Sequence, residues 1–169
     1  MKKLPILIVV VLGFLAKHAV AQDCKYYKEG TVKATGESFK ESRNVLVKTY
    51  AFLLRKEGTS RLSGSLDMAI AGTSTYSISP KDTLYLYLQN EDLVKLIPDK
   101  MYAPVKKAAM NGITSQYTPN YGITKEIMQK LAASPIVKVR ILMDKPIEGP
   151  AKKAEAEQIM KMAGCMAMD

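Results

Sequence analysis

Thiols and thioethers are the residues of this 169-residue chain that first invite a chemical reading. Two cysteines occur, Cys24 and Cys165, one towards each end. In an oxidising compartment such a pair reads as a disulfide, and only one intramolecular pairing exists. Closing so long a loop is worth about 4–5 kcal/mol in the chain-entropy account. A redox or metal-binding thiol is the alternative, but there is no Cys-x-x-Cys spacing and no histidine nearby. The C-terminal stretch also holds Met160, Met162, Met166 and Met168 around Cys165. Thioethers beside a thiolate are soft ligands that suit Cu(I). The same methionines also serve simply to fill a core.

Acid–base chemistry would need two carboxylates in one cleft. Glu29, Glu37, Glu41, Asp67, Glu91, Asp92 and Asp99 are the candidates, and none sits in a recognisable spacing. Nucleophilic triads and the usual zinc sites need histidine. The single histidine, His18, lies in the first 21 residues, which read as a removable leader. No Gly-rich phosphate loop, Gly-x-Ser-x-Gly elbow or calcium loop occurs, so no cofactor is expected. These absences tilt the reading away from an enzyme. Tyr102, Tyr117 and Tyr121 fall in an irregular stretch, 99–122, and form a candidate binding lobe. The competing use packs their rings on the core edge with the hydroxyls in water.

The leader has three parts in order. Met1-Lys2-Lys3 is positive, Leu4 to Leu15 is apolar, and Ala19-Val20-Ala21 is a small-x-small cleavage site. The apolar run is nearer a dozen residues than the roughly 20 a membrane span needs. Cys24 follows Ala21-Gln22-Asp23, which does not suit lipoprotein cleavage. Residues 1–21 therefore read as a signal peptide, and 22–169 as a single exported domain in the periplasm or outside the cell. The leader carries three lysines and no acid. The rest has 22 Lys and Arg against 16 acidic residues, a net charge of +6. That balance favours a protein, glycan or anionic envelope surface as partner. Basic residues are not interleaved with aromatics in runs, which argues against nucleic acid.

The elements that must position these side chains are mostly strands. Asn44 to Arg55 reads as one strand apolar on both faces. Arg61 to Ala71 alternates, with Leu62, Leu66, Met68 and Ile70 inward. Thr83 to Leu88 turns Leu84, Leu86 and Leu88 inward and Tyr85 and Tyr87 outward, and Leu93 to Ile97 returns beside it. Val105 to Met110 reads as a helical turn or an irregular lobe. Thr124 caps a helix, Ile123 and Met128 staple its entry, Ile127 and Leu131 form its buried stripe, Glu126 and Lys130 pair, and Pro135 ends it. Ile136 to Asp144 alternates again, with Val137, Val139, Ile141 and Met143 on one face. Ala151 to Cys165 is a second helix with a stripe of Ala151, Ala154, Gln158, Met162 and Cys165, beside Ile159. The expectation is an α+β fold: a mostly antiparallel sheet, sandwich-like or a partly closed barrel, with two C-terminal helices.

Gln22-Asp23-Cys24-Lys25-Tyr26 after a leader, with Thr35-Gly36 some ten residues on, resembles small uncharacterised secreted or periplasmic proteins of Gram-negative bacteria. Leu84-x-Leu86-x-Leu88 with the return Leu93-Val94-Lys95-Leu96 adds to the resemblance. So do Tyr121-Gly122-Ile123-Thr124, Ser134-Pro135-Ile136-Val137-Lys138-Val139-Arg140 and the C-terminal cysteine. The resemblance implies export and fold, and no activity. The reading that follows is a non-catalytic exported binding or structural domain. Its alternative is soft-metal (copper) handling or a minimal carboxylate-based enzyme.

Overall fold

A computed structural model describes residues 24–42, 45–47, 50–110 and 112–168. Residues 1–21, expected to be a leader, lie outside the described residues. Polar residues around Gly36 and Gly58 punctuate the first strands: β1 (Lys28–Thr31), β2 (Ser38–Glu41), β3 (Val45–Val47), β4 (Tyr50–Glu57) and β5 (Arg61–Ala71). The apolar stretch read as one strand from Asn44 is a hairpin, with Val45–Val47 folded back on Tyr50–Phe52. Apolar residues on both sides conceal such a reversal when no glycine or proline marks it. β2 and β3 lie along the same side of β4, and Ser42 joins them. Its Oγ accepts the Leu54 N–H at 2.9 Å, and its own N–H donates to the Leu54 carbonyl.

Leu-x-Leu-x-Leu alternation then builds β6 (Leu84–Leu88), paired with β7 (Leu93–Leu96). Next come β8 (Val105–Ala109), β9 (Gly112–Tyr117) and β10 (Asn120–Gly122). Val105 to Met110 is therefore mainly a strand and not a helical turn. Lysine, alanine and methionine are good helix formers, but intrinsic propensity is a small term and pairing with β9 overrides it. Helix α1 (Lys125–Ala133) begins at Thr124, whose Oγ1 accepts the Ile127 N–H at 3.3 Å. Ile123 and Met128 are both buried, as a staple requires. Its buried stripe is Met128 and Leu131, with Ile127 only half-buried. Lys130 pairs with Asp92 at 3.7 Å. After it come β11 (Ile136–Ile141), β12 (Ile147–Pro150) and α2 (Lys153–Met168).

The fold is α+β with antiparallel pairing between all described strands. One sheet is a half-barrel in the order β1-β2-β4-β5-β9-β8, with β3 and β10 also paired to it. The second runs β12-β11-β6-β7. Helix α2 touches α1, β3, β4 and β11, so it bridges the two sheets. Its buried stripe is Ala156, Ile159, Ala163 and Met166, spaced for one helical face. Of the expected stripe, Cys165 is buried with Ile159 beside it, but Ala154 and Gln158 are exposed. Leu66, Met68, Phe52 and Leu54 meet Leu86, Val139, Leu131 and Ile159 in one core. Gly64 lets the Phe52 ring approach the backbone, since a Cβ there would lie 2.8 Å from the ring. Lys56 is buried, and its Nζ donates to the Met166 carbonyl at 3.1 Å. A cation there suits the negative end of α2.

β11 carries one further correction. Its register with β6 shifts between Ile136 and Lys138. This bulge turns Val137 outward, and it is exposed while Ile136, Val139 and Ile141 are buried.

Candidate functional site

The expected site residues separate into structural and surface groups. Cys24 and Cys165 are bonded, with Cα atoms 5.8 Å apart, and Cys165 is fully buried. The bond removes the thiolate from the soft ligand set. Met166 is buried, Met160 and Met162 are half-buried, and Met168 is exposed, so the methionines point different ways around α2. Copper binding by Met160, Met162, Cys165 and Met166 thus loses its anionic ligand.

The tyrosines are mainly core. Tyr117 is buried, donates to the Tyr76 carbonyl at 2.9 Å and meets Ser74 Oγ at 2.8 Å. Tyr121 is buried, and its hydroxyl has no hydrogen-bond partner among the described residues. Burial pushes its pKa well above the ordinary phenol value. Tyr102 is half-buried and donates to Asp99 at 2.5 Å. Only Tyr102 of the three keeps ring surface for a ligand.

The carboxylates do not converge. Glu41 pairs with Arg55, Glu37 with Arg61 and Asp92 with Lys130, while Asp67 accepts from Gln116. The most buried carboxylate of the described residues is Asp82, which no spacing in the sequence singles out. Tyr76 donates to one of its oxygens; the Ser79 N–H at 2.7 Å and Ser79 Oγ at 3.0 Å meet the other. That hydrogen bond, with burial, pushes the Tyr76 pKa from 10.0 up to about 12. Both oxygens are committed to closing a loop, as Ser-x-x-Asp spacing in a proline turn allows.

The surface that stands out is the β8–β9 hairpin. β9 pairs with β5 only from Thr114 onward, so the turn overhangs the half-barrel. Opposite residues share a face, which puts Lys106, Ala108 and Ile113 on the inner side and Val105 and Lys107 on the outer. All five are wholly or largely exposed on both sides. Met110 at the tip is 103% exposed, Met101 67%, Val105 59% and Ile113 49%. Large apolar side chains crowded in one exposed segment mark an interaction surface. No acidic residue lies between Asp99 and Glu126, whereas Lys100, Lys106, Lys107 and Lys125 do. Lys106 and Lys107 make no ion pair among the described residues. The hairpin is thus an apolar tip with a cationic base.

No family model, curated protein or solved structure matches this chain. Among the described residues no helix is long and apolar enough to cross a membrane, and no group of three acidic, histidine or cysteine side chains is arranged to hold a metal.

Proposed function

We propose that this protein is a non-catalytic exported domain that seats its β8–β9 hairpin on an anionic membrane surface of the cell envelope. One observation carries the reading: the fully exposed Met110 tip, with Ile113 beside it, in a 26-residue stretch that holds lysines and no acid. An apolar tip gains from entering the acyl boundary, and lysines at its base gain from anionic head groups. Burying Met110 is worth about 2 kcal/mol and the exposed half of Ile113 about 1 kcal/mol. Each nearby lysine adds about 1 kcal/mol at low salt. An acidic protein partner would also cover the tip, and the vesicle experiment separates the two. The Cys24–Cys165 bond takes the thiolate out of the copper alternative, and the hydrogen bonds on both Asp82 oxygens give that carboxylate a structural use.

The test is co-sedimentation of the oxidised protein with vesicles of phosphatidylcholine, with and without phosphatidylglycerol. Binding to the anionic vesicles alone, weakened by salt, is expected. Met110→Asp with Ile113→Asp should reduce it by about a hundredfold, from the 3 kcal/mol above. Equal binding to neutral vesicles, no binding, or an unaffected double variant with an intact fold would each overturn the reading.

A further inference from the structure

The second sheet has an outer face that the hairpin reading leaves unused. Its register fixes which side chains share that face. Across one row run Lys95, Tyr85, Arg140 and Glu148; across the next run Leu93, Tyr87 and Lys138. The two tyrosines stand about 7 Å apart along β6 by strand geometry. Lys95 Nζ lies 5.8 Å from the Tyr85 ring centre, and Lys138 Nζ 5.4 Å from that of Tyr87. Lys138 and Arg140 flank Glu148 at 3.1 and 3.7 Å. Three cations against one acid leave the face positive.

The bulge in β11 gives this face a depression. Val137, Lys138, Glu148, Gly149 and Pro150 border an open cavity of about 440 Å³. Such a volume is within the range of small-ligand clefts. Arg140 Nε is buried and has no well-aligned acceptor among the described residues. It is an N–H donor without a directed partner, next to the cleft's own acid.

The geometry points to a binding site for an acidic polysaccharide, laid across β7, β6, β11 and β12 with one unit in the depression. Tyrosine rings offer flat apolar surface to sugar rings and a hydroxyl to their oxygens. Lys95, Lys138 and Arg140 complement sugar carboxylates. Glu148, beside Lys138 and Arg140, repels any polyanion, but each unit of an acidic polysaccharide also carries hydroxyls that can donate to it, which the esterified sugar of a DNA chain lacks.

The experiment is titration of the oxidised protein with polygalacturonate fragments, with neutral dextran and with a single-stranded DNA oligomer. Polygalacturonate should bind and weaken with salt. Tyr85→Ala with Tyr87→Ala should lower its affinity by about tenfold or more, as should Lys138→Gln with Arg140→Gln. Circular dichroism of each variant reports the fold. The Met110→Asp variant should bind polygalacturonate normally, which separates this site from the hairpin. Absence of polygalacturonate binding, equal binding to dextran, stronger binding to DNA, or retained affinity in both folded double variants would overturn the proposal.

Discussion

Breaking the Cys24–Cys165 bond should cost the protein much of its stability while leaving its native contacts almost intact. The bond closes a loop across 141 positions of sequence. The chain-entropy relation gives about 5 kcal/mol for that length. A domain of this size has about 5–15 kcal/mol in all. On the native side little depends on the bond: β1 is wholly exposed, and α2 is held by Ala156, Ile159, Ala163 and Met166 and by the Lys56 cap. The loss should therefore arise in the unfolded chain, which expands once released. With a urea slope near 2 kcal/mol/M, the unfolding midpoint should fall by about 2.5 M. The slope itself should rise. The assay is urea unfolding of the oxidised protein, of the same protein reduced, and of Cys24→Ala with Cys165→Ala. Alanine avoids burying a hydroxyl at position 165. A midpoint shift under about 0.5 M in both reduced and substituted protein would refute the reasoning, because the closure term would then be missing.

Two further substitutions and a pH series probe the core. In Gly64→Ala the new Cβ meets Phe52 at 2.8 and 2.9 Å and Ile123 at 3.1 Å. Overpacking of this kind should destabilise by about 1–3 kcal/mol in urea unfolding, and an unchanged midpoint would show that the Phe52 ring yields freely. Stability should also fall between pH 10 and about 12. Tyr76 keeps its proton to about 12 in the folded protein, whereas an unfolded tyrosine releases it near 10.0. The folded state then binds more protons, so stability present at neutral pH is lost as pH rises through that window. Tyr76→Phe should flatten the fall in unfolding midpoints, and an equally steep fall would assign it to other groups.

Much of the architecture is legible in residue order because alternation and capping are local signals. Leu84, Leu86 and Leu88 face inward as read, and Thr124 caps α1 as read. Cys24 and Cys165, the only two cysteines, leave one pairing. The failures share a cause: each is decided by a partner far away in sequence. Val105 to Ala109 carries good helix formers, and only β9 makes it a strand. Val45–Val47 folds back on β4 without a turn residue that announces it. Val137 faces out because a bulge against β6 shifts the register by one. Alanine occurs all around α2 and gives no phase, so the sequence does not separate exposed Ala154 from buried Ala156. For the candidate sites, residue types were visible but placement was not. Tyr85 and Tyr87 were read as facing outward, yet nothing in the sequence put Arg140 and Lys95 on either side of Tyr85. The hairpin's lack of acids was present in the sequence, but it gains meaning only once Met110 is seen at an exposed tip.

The staple also has a consequence in time. Synthesis runs from Cys24 towards Cys165, so the first thiol waits for 141 further residues before its partner exists. At about 5–20 residues per second that wait is roughly 7–30 s. Helix α2, which bridges both sheets, is made together with Cys165, which it carries. Until then the half-barrel lacks the face that α2 covers, and Cys24 is open to pairing with any other thiol it meets. The order of the chain makes α2 both the cover of the core and the carrier of the lock.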